Sequence, residues 1–312
     1  MYGKPRRVSL VPSLLWVGFL VSGCQSTAVH NRINPVERSQ GASEASQRGT
    51  NSGRSYPPGQ VGIPGQQAAN AGPGSAGCGK SPTALGLHDG SVSVNGAQRT
   101  FLRYLSPNYD PNRRHILIIG YHGLGLDGTS PRRDHKWTTL EESSQDAAIF
   151  IYANAAGGSW SGGGNSRDVL FFDELVRASG DELCVDKARV FVHGFSNGSY
   201  FVNALASARN SAIRGVITVA GGGGGTKMPV MVIHGKQDQN VGFYGNAPST
   251  VNAYARANGC KVPPSIDQLK SDTCQLLEGC APKLPVWVCP WNGNHHWPEF
   301  TLPDVWKFIT TT

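Results

Sequence analysis

The chain has 312 residues, 39% of them hydrophobic and only 16% charged, with a formal net charge of +7. That length is ample for a buried core in one large domain or two small ones. The charge excludes a nucleic-acid binder rather than suggesting one. Three of the surplus cations are Lys4, Arg6 and Arg7, and residues 78–312 set 21 Lys/Arg against 19 Asp/Glu with no basic stripe interleaved with aromatics.

Those three cations precede an apolar run from Val8 to Val21, too short for a membrane span and suited to a signal peptide over residues 1–23. Val21-Ser22-Gly23-Cys24 resembles a bacterial lipobox, in which the cysteine is lipidated and becomes the mature N-terminus. A plain secretory signal is the alternative. Either reading exports the chain, and the first attaches it through Cys24 to the bacterial cell envelope, at the outer membrane or cell surface. Residues 24–77 read as a flexible tether. From 25 to 77, Gly, Ser, Pro, Gln and Asn fill 31 of 53 positions, a composition that cannot bury enough surface to offset its ordering entropy.

With Cys24 set aside, six cysteines remain: Cys78, Cys184, Cys260, Cys274, Cys280 and Cys289. An even count in an oxidising setting predicts three disulfides. Zinc is the alternative, but no C-x-x-C occurs, and neither a metal nor a cofactor is expected. Four of the six crowd into residues 260–289, predicting a stapled excursion near the last strand. Cys78 with Cys184 would tie the start of the domain to its middle, while the connectivity stays open.

From Cys78 onward, short apolar runs alternate with helical spacing. Ser91–Val94 and Phe101–Leu105 predict a hairpin around Asn95-Gly96, and His115–Tyr121 and Ala148–Tyr152 predict buried strands. Asp168–Glu182 has helical periodicity, Arg189–Val192 is a strand, and Tyr200–Ala208 is a helix. Val216–Ala220, Val230–Ile233 and Pro285–Val288 complete the strands, with helices at Ala247–Ala257 and Asp304–Ile309. Arg113-Arg114 and Arg132-Arg133 read as solvated loop charges. The alternation predicts an α/β fold, a mainly parallel, doubly wound sheet with helices on both faces over residues 78–312. Active residues in such sheets sit at the carboxyl ends of strands.

Three candidates occupy such ends. Gly194-Phe195-Ser196-Asn197-Gly198 is a G-x-S-x-G between a strand and a helix, the context of a strained turn that exposes a nucleophilic hydroxyl. Asp238 follows Val230–Ile233, and His295-His296 follows Pro285–Val288. The chain order Ser, Asp, His is that of an α/β-hydrolase triad: an imidazole in reach of the serine and a carboxylate fixing its tautomer. Physical reasoning alone leaves His295 and His296 equal. An oxyanion hole requires two backbone N–H donors. Asn197 is expected to supply one and Leu124, in His122-Gly123-Leu124-Gly125, the other, with Gly123 as the alternative. Trp160, in a glycine-rich loop taken as mobile, is expected to overhang this edge and contact substrate, together with His296 and Trp297. The five glycines Gly221–Gly225 make a short connection that leaves one side of the site open.

Several separated motifs carry a family likeness: Ala76-Gly-Cys78-Gly-Lys-Ser-Pro82, Asn108-Tyr109-Asp110-Pro111, Leu183-Cys-Val-Asp186, the Gly194–Gly198 turn, Asn258-Gly-Cys260 and Gly293-Asn-His295-His-Trp-Pro298. From about residue 76 to the end, the chain resembles polyhydroxybutyrate-depolymerase-like esterases. It is most similar to the secreted feruloyl esterases of carbohydrate esterase family one. The resemblance implies a disulfide-stapled α/β-hydrolase fold with Ser196 as nucleophile and Asp238 as third member. It gives His295 the catalytic role, because those enzymes read G-x-H-x-W-P. It implies a serine carboxylesterase that releases feruloyl or acetyl groups from plant-wall polysaccharide through an acyl-enzyme; a monomer is expected. A polyhydroxyalkanoate depolymerase is the runner-up, and an acyltransferase or a non-catalytic surface lipoprotein stands behind it.

Overall fold

The computed structural model describes residues 74–312. The signal, Cys24 and nearly all of the expected tether lie outside the described residues. The fold takes in positions just ahead of the expected boundary at Cys78. Ser75 is buried, its hydroxyl donating to the Leu183 carbonyl (2.6 Å) and accepting from Val185 N–H (2.8 Å), and Gly77 N–H donates to Gly180 O.

Strands β1 (Gly86–Val94) and β2 (Ala97–Leu105) form the opening hairpin, turned by Asn95 and Gly96, both at positive φ. Then come β3 (His115–Tyr121), α1 (Ser130–Asp134), α2 (Trp137–Ser143), β4 (Ala148–Ala153), α3 (Arg167–Glu182), β5 (Val185–Phe195) and α4 (Asn197–Ala208). Strands β6 (Gly215–Val219) and β7 (Val230–Gly235), helix α5 (Phe243–Ala257), the two-residue β8 (Gln275–Leu276), β9 (Val286–Trp291) and α6 (Leu302–Thr311) complete the order. One sheet runs β1-β2-β4-β3-β5-β6-β7-β9-β8, parallel from β4 through β9 and antiparallel at both edges.

The central strands are continuously apolar because both faces are covered. Along β3, Leu117, Ile119 and Tyr121 join a core with α3, α4 and α5, while Ile116 and Ile118 join Trp137, Leu140, Val305 and Phe308 from α2 and α6 on the other face. Each fully buried side chain of this kind stabilises the fold by about 1.5–3 kcal/mol relative to exposure.

The six cysteines pair as Cys78–Cys184, Cys260–Cys280 and Cys274–Cys289. The first anchors the N-terminal edge of the fold to the start of β5, and the other two staple the segment between α5 and β9. Two expectations need correction. Arg132 is no loop charge: it lies on α1 and pairs with the buried Glu141 (2.8 Å), which also accepts from Tyr152 (2.6 Å). Arg113 likewise pairs with Asp146 (2.6 Å).

Candidate active site

The turn between β5 and α4 is as tight as its glycines suggest. Ser196 has φ 54° and ψ −117°, a conformation costly for any residue with a Cβ. A Cβ on Gly194 would lie 2.1 Å from Gly198 O, and one on Gly198 would lie 2.1 Å from Tyr121 O. Strand and helix therefore approach only with glycine on both sides of the serine, and the strain holds Ser196 part-exposed at the sheet's carboxyl edge.

Asp238 and His295 sit on loops that continue the pairing of β7 with β9. Beyond the last ladder pair, Gly235 with Trp291, Lys236 N–H donates to Trp291 O (2.8 Å) and Gln237 N–H to Gly293 O (2.9 Å). This zipper brings His295 Nδ1 to 2.7 Å from Asp238 Oδ2. The other carboxylate oxygen accepts from Asn240 N–H (2.9 Å) and Val241 N–H (2.8 Å), so the buried carboxylate is held from three directions. A carboxylate at Nδ1 leaves Nε2 of the same ring free to take a proton. Ser196 and His295 line one groove of about 490 Å³ with Gly123, Leu124, Tyr200 and Val241.

A Cβ on Gly123 would lie 3.4 Å from Ser196 Cβ, so the loop after β3 runs beside the serine. His122 Nε2 accepts from Ala155 N–H (3.1 Å), which leaves Nδ1 protonated to donate to Gly123 O (2.8 Å). Burial lowers the pKa of this imidazole and keeps it neutral. Leu126 N–H also donates to Gly123 O (3.2 Å). With that carbonyl engaged, the N–H of Leu124 points to the opposite side of the same trans peptide. Asn197 opens α4, so its N–H is one of the donors an α-helix leaves without an internal acceptor.

The expected substrate contacts fare differently. Trp297 is fully buried, its indole N–H donating to Thr301 Oγ1 (3.1 Å) and its ring packed against Trp137 and His193; it cannot touch a substrate. Trp160 does not overhang the site on a loose loop. It is 6% exposed and hydrogen-bonded at both its backbone and indole nitrogens. Glycine-rich spacing suggested mobility, but Ser161 N–H donates to Asp168 (2.8 Å), itself in a buried pair with Arg99 (2.7 Å). His296 is exposed and lies toward His135 and Trp291, outside the groove.

The sequence reading missed Tyr200 and His234. Tyr200 stands one helical turn after Ser196 and lines the groove, its hydroxyl donating to Asn246 Oδ1 (2.9 Å). Four-residue spacing from the serine was the available signal. His234 is the penultimate residue of β7, with Nε2 donating to Val241 O (2.8 Å) and 3.4 Å from Asp238, and burial lowers its pKa, so it braces the aspartate loop as a neutral ring.

Known esterases are similar to this chain in sequence and in fold. Feruloyl esterase C of Emericella nidulans is 33% identical over 240 residues, covering 72% of this chain and 84% of that protein. Feruloyl esterase D of Neurospora crassa is 29% identical over 76% of this chain and 90% of its own length. Among solved structures, an acetyl xylan esterase from Aspergillus awamori superposes with a TM-score of 0.56 at 15% identity, over 71% of this chain and 99% of that one. No family model matches the chain.

Proposed function

The chain belongs to the feruloyl esterase family and is a carboxylic ester hydrolase with an α/β-hydrolase fold; on that premise we propose that Ser196, His295 and Asp238 are its nucleophile, general base and orienting carboxylate. The observation that carries this reading is the 2.7 Å contact of His295 Nδ1 with Asp238 beside a strained, part-exposed Ser196. In the proposed sequence, Ser196 Oγ attacks the ester carbonyl as His295 Nε2 takes its proton. The resulting oxyanion is stabilised by the N–H groups of Leu124 and Asn197. Collapse of the tetrahedral adduct expels the alcohol, which receives the proton from His295, and leaves an acyl-Ser196. Water then repeats the steps in reverse order and releases the acid.

The substrate we propose is an ester of a hydroxycinnamic acid, or acetate, on plant cell-wall polysaccharide. The names of the relatives support this, and so do the apolar Leu124, Tyr200 and Val241 along the groove, which suit a flat aromatic acyl group. Hydrolysis of methyl ferulate, p-nitrophenyl acetate and a hydroxybutyrate oligomer tests it. Wild-type protein is expected to cleave the first two and Ser196→Ala neither; preference for the oligomer would move the assignment to polyester depolymerisation.

Export is supported by the three disulfides, which form and persist in oxidising compartments. We also propose a lipid on Cys24 that tethers the catalytic domain of residues 78–312 to a cell-envelope membrane through residues 25–77. The lipobox-like Val21–Cys24 supports this, although the relatives compared above are fungal. Mass spectrometry of the native N-terminus tests it: a chain starting at an unmodified residue other than Cys24 removes the anchor.

A further inference from the structure

Trp160 contacts both halves of the proposed oxyanion hole at once. Its backbone N–H donates to Asn197 Oδ1 at 2.7 Å, and its indole N–H donates to the His122 carbonyl at 2.9 Å. Asn197 is the residue after Ser196, and the His122 carbonyl opens the peptide that leads into Gly123 and Leu124. One residue therefore bridges the helix end and the β3 loop, which share no direct hydrogen bond among those described. Its ring is wedged between Tyr121 (centroids 4.9 Å apart), His122 (5.0 Å) and Phe201 (5.4 Å).

The bridge is itself anchored. Gly125 N–H donates to Gly158 O (2.8 Å), Ala155 N–H fixes the His122 ring, and Ser161 is tied through Asp168 to Arg99. Arg99 in turn stacks 4.2 Å over Phe171 on α3. The segment 155–161 thus acts as a strap that reaches the loop after β3 through Gly158, Trp160 and the His122 ring, and reaches Asn197 through Trp160.

We propose that Trp160 is a positioning residue that holds the N–H groups of Asn197 and Leu124 in register for the transition-state oxyanion. The inference rests on the reading of Ser196 as nucleophile and deepens it. Preorganised donors act on the developing charge, not on the ground-state ester, so loosening them lowers kcat and leaves KM nearly unchanged.

The test is kinetic, on the folded full chain. Trp160→Phe keeps an aromatic ring but removes the indole donor together with part of the ring's volume. Asn197→Ala removes the other bond while keeping the backbone N–H. Each is expected to lower kcat on methyl ferulate by about 10- to 100-fold, short of the loss of a whole oxyanion donor, with KM within about threefold. The Ki of a trifluoromethyl ketone, which forms a tetrahedral adduct with the serine, should rise by the same factor as kcat/KM falls. A folded variant of either kind with unchanged kcat, or with reduced kcat but unchanged Ki, overturns the proposal; if Trp160→Phe fails to fold, Asn197→Ala decides. Ser196→Ala is measured alongside. If it remains active, the site reading itself fails, whereas an inert Ser196→Ala beside fully active Trp160→Phe and Asn197→Ala removes only the positioning role.

Discussion

The main chain of Gly235 lies directly against that of Gly293: a Cβ on Gly235 would fall 2.3 Å from Gly293 O and 2.5 Å from Asn294 O. This contact, just before the aspartate loop and just before the histidine loop, sets the 2.7 Å bond between Asp238 and His295, which are 57 residues apart in sequence. Gly235→Ala must push the two loops apart, since backbone atoms cannot yield as a side chain can. A displacement of about 1 Å in a catalytic group typically costs ~100-fold in rate. The variant is expected to lose kcat/KM on methyl ferulate by roughly that factor, and a rate within about twofold of wild type would show that the loops can part without consequence.

Tyr200 should govern the acyl group. Asn246 holds its hydroxyl, and a Cβ on Gly222 would lie 3.1 Å from its ring, so the ring is a fixed wall of the groove. Burial and the nearby Asp238 carboxylate raise its pKa, keeping it protonated at neutral pH. Tyr200→Ala is expected to raise KM for methyl ferulate about tenfold, equivalent to ~1.4 kcal/mol. KM for p-nitrophenyl acetate, whose ring is on the alcohol, should change much less. Equal effects on both esters would place the acyl group elsewhere.

The disulfides should differ in weight. Cys78–Cys184 closes 106 residues, Cys260–Cys280 closes 20 and Cys274–Cys289 closes 15. Chain-entropy reasoning assigns about 4.7 kcal/mol to a loop near 100 residues and about 3 kcal/mol to one near 15. Thermal melting of the three Cys→Ser double variants should therefore rank Cys78/Cys184 as the most damaging. The reverse order would mean that native contacts such as those of Ser75 already hold that edge.

Acid should destabilise the fold through its buried histidines. Burial, then the nearby His296, lowers the pKa of His135 from 6.5 to about 4; Asp134 opposes this, while Arg133 and His295 add to it. His193, stacked on Trp137, lies well below its usual value for the same reason, burial first and His135 second. Folded His135 is neutral where the unfolded chain binds a proton, so its stabilisation is complete above pH 6.5 and is lost as pH falls toward about 4. Melting temperature should drop between about pH 7 and about pH 5 and drop less in His135→Gln. An unchanged slope in that variant would assign the effect to other groups.

Much of this was legible in the sequence because the signals were local. Short apolar runs gave β3, β4, β6 and β7 to within about two residues, and the Gly194–Gly198 turn announced its own strain. What was missed is long-range. Pro248 hid the first turn of α5, which starts at Phe243 rather than Ala247, because proline is disfavoured inside helices. The sequence presents Trp160 and Trp297 as substrate contacts at the site edge, yet only tertiary contacts reveal that one straps two loops and the other fills the core beneath α6. The choice between His295 and His296 also came from family resemblance; spacing alone gave no direction.

The most direct test of the account is therefore kcat on methyl ferulate for His295→Ala and His296→Ala, each compared with wild type. His295 reaches Asp238, whereas His296 lies outside the groove. His295→Ala is expected to lose roughly 10⁴–10⁶ in kcat, as Ser196→Ala should, because the two act as one unit. His296→Ala is expected to keep most of its activity. A live His295→Ala beside a dead His296→Ala would contradict the assignment of the general base.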